Sequence, residues 1–480
     1  MKNKKQAIIL SVIASIALLV LIVGATYAYF QASGGTGTSA NLRVTTYTTD
    51  VFNFEVGNDI SIYADATSFA SGKGNAAGST FAKAILTANN KTNTATEHYY
   101  LYLNISNNTF LYTQNENTPE LLLTITDASD NAVTDITSLT YKKVTDGKGT
   151  SISGYDITNK SGVITLFNNK EITASPTKTD EWNITVTLVN YDKDQSKNAG
   201  KNFSAKLMIQ KEEYKPTLAE YVVSQYSGTQ GDNGIYYHNS SLANGAGDNS
   251  YRFAGASDSV NNYICLGSDK ATCPDANLFR IIGVFGDQTK VIRAKSVGNK
   301  QWHTSSSNTW SSSSLNTYLN GEYLTGLGTL ADKIATTTWK VGGGLMSNIA
   351  ISVPKKAYQY EVGSSSSTTT VNKKIGLMYV TDYYYSASPS AWTLVGYNES
   401  DATKDYRAAT SANWLYLGST EWTISRNSDN ANNVFYVNRT GRVSYSIVAS
   451  YFGVHPSFNL ESSVKYVSGS GSMSDPMRVN

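Results

Sequence analysis

The chain has 480 residues, 16% of them charged, with 39 Lys plus Arg against 37 Asp plus Glu. That balance excludes the basic excess of a nucleic-acid binder, and 40% apolar content excludes a charge-driven disordered chain. Tyr is abundant at 33 and Pro scarce at 8, a composition that suits β-structure with a neutral polar surface.

The first element is an export segment. Lys2, Lys4 and Lys5 precede an uncharged stretch, and Ile8–Val23 is apolar and long enough to cross a bilayer as a helix. Thr26 and Ala28 match a small-x-small cleavage pattern, so residues 1–30 read as a signal peptide cut after Ala28 or as a retained transmembrane anchor. Either way the basic end stays inside and the remainder is exported, to the outer face of the membrane, the cell wall or the medium. Residues 31–40 form a flexible polar linker.

Residues 41–212 read as an antiparallel β-sandwich of jelly-roll type with seven or eight strands and no strong helix. The clearest strands are late. In Trp182–Val189, Ile184, Val186 and Leu188 alternate with Asn183, Thr185 and Thr187. In Phe203–Gln210, Phe203, Ala205, Leu207 and Ile209 face inward. The charged stretch Lys211–Lys215, broken by Pro216, marks the boundary to a second, α+β domain over 213–480.

That domain opens with a helix carrying Leu218, Tyr221 and Val222 at helical spacing. A second helix is expected over Ser313–Leu319, stopped by Gly321. Hairpins are expected at 279–285 with 289–295, and at 433–437 with 442–448. Long Ser, Thr, Gly and Tyr-rich loops are expected at 361–374 and 381–413. Cys265 and Cys273 are the only cysteines, and in an exported chain they read as a local disulfide.

The N-terminal pattern, an apolar run ending Thr26-Tyr27-Ala28-Tyr29-Phe30 before a Gly/Ser/Thr spacer and an all-β domain, resembles the TasA/camelysin family of exported surface and biofilm-fibre proteins of Gram-positive bacteria. The family's reported protease activity has no counterpart here, since the chain contains no His-Glu-x-x-His. Farther on come Asn277–Val284, Trp310, Asn320–Leu324, Gly376–Met378, Trp422–Ser425, Phe435–Gly441 and Gly453–Phe458. In that order they resemble an uncharacterised Firmicutes domain family whose closing motifs are similar to formylglycine-generating-enzyme and C-type-lectin-like folds. The resemblance implies that fold over roughly 214–480, with His455 standing where Arg is usual.

Catalytic motifs are scarce. The four His residues, at 98, 238, 303 and 455, are dispersed, and no Gly-x-Ser-x-Gly or phosphate-binding Gly-rich motif opens a helix. No cofactor or metal site is expected. Oxygen-rich stretches at 258–262, 399–405 and 427–433 have the chemistry of calcium loops without their spacing. The best candidate surface is late: Trp422, Arg426, Tyr436, Asn438, Arg442, Tyr445, Tyr451 and His455 fall within 34 positions, and such side chains make adaptable contacts and stack on sugars. The expected function is a non-catalytic, lectin-like adhesion domain for a glycan or protein ligand, displayed on a sandwich stalk. The alternatives are a fibre or biofilm-matrix subunit self-assembling through a β-edge, and a hydrolase or other enzyme on the same frame.

Overall fold

The computed structural model describes the backbone of residues 31–33 and the residues 50–89, 93–115 and 117–480. The apolar run Ile8–Val23, the cleavage point at Ala28 and linker residues 34–40 lie outside the described residues. Among the described residues no helix is long and apolar enough to cross a membrane. The chain divides into two units, Met1–Tyr214 and Lys215–Asn480.

The first unit is built from strands β1 (Gln31–Ser33), β2 (Val51–Val56), β3 (Ile60–Tyr63), β4 (Ala76–Thr87), β5 (Ala95–Asn108), β6 (Leu121–Asp127), β7 (Tyr141–Thr145), β8 (Ser151–Asp156), β9 (Gly162–Ala174), β10 (Thr177–Leu188) and β11 (Asn202–Gln210). They form two antiparallel sheets, ordered β1-β11-β5-β9 with β3 also on β11, and β2-β4-β10-β6-β8-β7. Period-two alternation creates the core between them. Ile184, Val186 and Leu188 of β10 and Phe203, Ala205, Leu207 and Ile209 of β11 are buried with Ala82, Ala84 and Leu86 of β4 and Leu101 and Leu103 of β5.

Two features depart from the sequence expectation. Gln31–Ser33, expected within a flexible linker, pairs antiparallel with Met208–Gln210. β3 covers only residues 202–205 of that strand, so the backbone groups beyond it are open to another partner. The Asp146–Gly149 turn is flanked by the β7–β8 pair, two strands not named from sequence. It is closed by Asp146, whose carboxylate accepts from the backbone of Lys148 (2.9 Å) and Thr150 (2.8 Å).

The second unit begins with helix Leu218–Ser224, capped by Thr217 and Glu220 in reciprocal hydrogen bonds. Its strands are β12 (Ile235–Tyr237), β13 (Tyr251–Phe253), β14 (Tyr263–Cys265), β15 (Leu278–Phe285), β16 (Gln288–Arg293), β17 (Asn299–Gln301), β18 (Thr337–Lys340), β19 (Thr370–Lys373), β20 (Ile375–Gly376), β21 (Glu421–Arg426), β22 (Asn433–Val437), β23 (Val443–Ile447), β24 (Tyr451–Gly453), β25 (Ser457–Asn459), β26 (Tyr466–Ser468) and β27 (Met477–Val479). A large sheet runs β20-β25-β16-β15-β14-β27-β26, with β13 and then β12 branching from β15. A five-stranded sheet runs β17-β24-β21-β22-β23.

The two ends of the unit are knitted together. β27 pairs parallel with β14, Leu218 N donates to Val464 O (2.8 Å), and Tyr221 stacks on Tyr466 at 3.5 Å. Six of the chain's seven Trp lie in this unit, and all six are at most 1% exposed.

Two expectations are corrected here. The helical run starting at Ser314 does not stop at Gly321; it widens over Leu319–Tyr323 and continues to Gly326, with Leu319 buried. Residues 381–413 are not a surface loop. They begin in helix Val380–Tyr385 and bury Tyr383, Tyr384, Tyr385, Trp392 and Tyr406, because these rings supply much of the unit's core volume.

Candidate functional site

The eight late residues singled out from sequence differ in exposure and in the contacts they make. Trp422 on β21 is 1% exposed, packs on Phe452 at 4.4 Å and donates its indole N–H to Lys300 O (2.9 Å). His455 is buried, with Nδ1 2.9 Å from Arg293 O and Nε2 3.1 Å from Glu421 Oε2. Asn438 closes the β22–β23 turn by accepting from the backbone of Thr440 and Arg442. Arg426 donates to Gly342 O (2.8 Å), and a Cβ on neighbouring Gly343 (φ +60°) would meet Arg426 O at 1.9 Å. Arg442 lies over the Tyr397 ring at 4.1 Å, and Tyr436 packs on Phe452 at 4.8 Å.

Trp422 and His455 are buried, whereas Arg426, Tyr436, Asn438 and Arg442 are half-buried and also engaged in packing or turn contacts. Tyr445 (40% exposed) and Tyr451 (65%) are the most exposed of the eight, joined by Ile447 across a tight turn in which Ser450 N donates to Ile447 O. The disulfide is present, linking Cys265 and Cys273. Of the oxygen-rich stretches, 427–433 is already filled: Asn308 Nδ2 donates to the carbonyls of Asn427 (2.9 Å), Asn430 (2.9 Å) and Asn433 (2.8 Å). Among the described residues no three or more His, Cys, Asp or Glu side chains converge as a metal site.

The ionisable chemistry of the second unit is concentrated indoors. Lys290 on β16 places Nζ 2.6 Å from Asp382 Oδ2, and the two side chains are 7% and 3% exposed. Arg252 on β13 binds Asp248 at 2.6 Å and lies 3.9 Å from Asp382 Oδ1. Phe285, Tyr358 and Tyr385 line the Arg252 guanidinium at 4.7–5.5 Å. Burial opposes ionisation of Asp248, yet Arg252 and the bonds from Ser250 outweigh it and hold its carboxyl well below the usual range. Burial pushes the Lys290 amine down from its ordinary value, with Asp382 pulling the other way.

Glu361 accepts from Val380 N (2.9 Å), Thr381 N (2.9 Å), Thr381 Oγ1 (2.5 Å) and Ser425 Oγ, and burial raises its carboxyl despite these donors. His238 sits between Tyr385 and Trp392 at 4.7 and 5.1 Å, and burial followed by the Arg252 charge drives its imidazole well below the ordinary value. This is an enclosed network with satisfied charges, and its chemistry is structural with respect to soluble ligands.

The open site was missed in the sequence. A cleft of about 550 Å³ lies beside the disulfide loop, where residues 265–271, 329–333 and 467–480 meet. Arg478 on β27 holds the loop by donating to Ser268 O (3.0 Å) and Ala271 O (2.9 Å). Lys270 and Lys333 join Arg478 in the lining, together with Asp269 and Asp475. Among the described residues no ion pair joins any of these five. The only sequence signal was the Cys265–Cys273 pair, since the other walls come from segments more than 50 residues away.

Comparison with known families matches residues 286–462 to a domain of unknown function (DUF6273). The match takes in Lys290, Glu361, Asp382 and all eight late residues, and leaves out Arg252, Asp248 and both Cys. No curated protein matches the chain.

Proposed function

We propose that this chain is an exported cell-surface protein whose second unit, on a lectin-like frame, binds a glycan in the cleft beside the disulfide loop without transforming it. One observation carries the reading: Lys270, Lys333, Arg478, Asp269 and Asp475 line one open polar cleft with no ion pair joining them among the described residues. Separated donors and acceptors of both signs suit a polyhydroxylated ligand, whose hydroxyl groups both donate and accept. The pairs Arg252–Asp248, Lys290–Asp382 and His455–Glu421 are matched within the unit's interior rather than in this cleft, which favours binding over acid–base catalysis there. The apolar leader and the disulfide support export, with the leader either cleaved after Ala28 or retained as the membrane anchor. A glycan array probed with the full chain tests this. Saturable binding should weaken about tenfold or more, ~1.4 kcal/mol, in Lys270→Ala/Lys333→Ala. Binding that is absent, or unchanged in that variant, refutes the cleft as the site.

A second reading has its own observation. β1 covers the edge of β11 that β3 leaves open, immediately after the export segment. The same segment donated from a neighbouring copy builds a fibre by strand addition. Deletion of residues 29–40 should then abolish concentration-dependent assembly, measured by light scattering. Assembly that survives the deletion refutes this reading.

A further inference from the structure

The Lys290–Asp382 pair differs in kind from the other lysine–carboxylate pairs of the described chain. In Lys83–Glu181, Lys211–Glu97, Lys295–Asp275 and Lys404–Asp401 the side chains are 28–71% exposed. Here an amine and a carboxyl group touch at 2.6 Å with 7% and 3% exposure. Three rings enclose the amine: Tyr379 at 4.5 Å, Trp339 at 5.4 Å and Phe285 at 5.8 Å. A buried ion pair in such surroundings carries the desolvation cost of two charges.

Two further buried groups bear on the pair. Arg252 is already matched by Asp248 at 2.6 Å and does not depend on Asp382 for its counter-charge. Glu361 packs against the turn of chain that carries Asp382: Asp382 accepts from Tyr379 N, and Glu361 from the next two backbone N–H groups, Val380 and Thr381.

We propose that Lys290 and Asp382 become joined by an intramolecular amide bond between Nζ and Cγ, formed with loss of one water. The ammonium first passes a proton across the 2.6 Å contact, giving a neutral amine and a carboxylic acid. The nitrogen lone pair then attacks Cγ. The new C–N bond forms, one Cγ–Oδ bond breaks, and the leaving oxygen takes a second proton from nitrogen to depart as water. Ammonium plus carboxylate becomes amide plus water, so atoms and charge balance and nothing is oxidised or reduced. Proximity does most of the work, because the reacting groups are held in contact and solvent water is excluded. The product deletes two buried charges and leaves Arg252–Asp248 as a neutral pair. It also ties β16 to helix Val380–Tyr385 across 92 residues of sequence.

The test is intact-mass measurement and peptide mapping of the purified, reduced full chain. The expected result is a mass one water below that of the covalent sequence, with a branched peptide joining the Lys290 and Asp382 segments. Lys290→Ala and Asp382→Ala should each show the full mass. If those variants fail to fold, the wild-type peptide map alone decides. A wild-type chain of full mass, or peptides in which Lys290 and Asp382 are unmodified, overturns the bond itself.

Discussion

Removing the disulfide offers a sharp test of how the cleft is held. Cys265 and Cys273 are eight positions apart. Closing a loop of that length removes about 2.5 kcal/mol of unfolded-chain entropy at 25 °C in the loop-entropy account. The folded loop has other fastenings. Leu266 N donates to Asn277 O (2.9 Å), Asn277 Nδ2 returns to Leu266 O (2.7 Å), and Arg478 binds the carbonyls of Ser268 and Ala271. Cys265→Ser/Cys273→Ser should therefore act mainly on the unfolded state. Urea unfolding should report a loss of roughly 2–3 kcal/mol, equivalent to about 5–10 °C in Tm for a unit of this size. Hydrogen exchange should still show protection at Leu266. A loss under about 0.5 kcal/mol, or collapse of that protection, would refute the reasoning, which requires a native loop indifferent to the bond.

His238 supplies a pH test. Its buried imidazole stays neutral in the folded state, whereas in the unfolded chain it takes up a proton near pH 6.5. Stability should be complete above about pH 6.5 and fall below it, by up to about 1.4 kcal/mol per pH unit from this group. Urea unfolding of wild type and His238→Gln at pH 7 and pH 5 isolates the slope, which should vanish in the variant. Gly283→Ala should cost about 1–3 kcal/mol, because its Cβ would lie 2.3 Å from Tyr251 O on β13; thermal melting reads the shift. In the sandwich, Ile184→Ala should cost about 2–5 kcal/mol by urea unfolding, since the side chain is fully buried. Tyr445→Ser/Tyr451→Ser should change stability by under about 0.5 kcal/mol, as both rings are exposed, and glycan binding should persist if the cleft is the site.

The legible parts of the molecule were those in which a local pattern decides the structure. β10 and β11 show in sequence because every second side chain must enter the core, and the two hairpins of the second unit show because turn residues separate apolar runs. Helix Val380–Tyr385 was hidden because all six of its residues are buried, which erases the polar face that marks an amphipathic helix. Trp422 and His455 illustrate a different limit. A rich run of aromatic and polar residues reads alike whether it meets a ligand or the protein's own interior, and only the packing of Phe452 and Glu421 against them separates the cases. The charge network was invisible because its members are scattered: Arg252, Lys290, Glu361 and Asp382 come from two strands and two helices that meet only in the folded unit.

The parallel pairing of β27 with β14, and the bond from Leu218 to Val464, impose a timetable on biogenesis. Translation delivers the opening helix about 250 positions before the segments that secure it, so the emerging polypeptide has no means of completing this unit while residues near 464–479 are still within the ribosome. The delay leaves the unit open until synthesis is nearly complete, and it makes the final strand a latch that closes last. Fusion partners or epitope tags that disturb residues 464–479 should then leave a long, unfinished chain as prey for quality-control proteases.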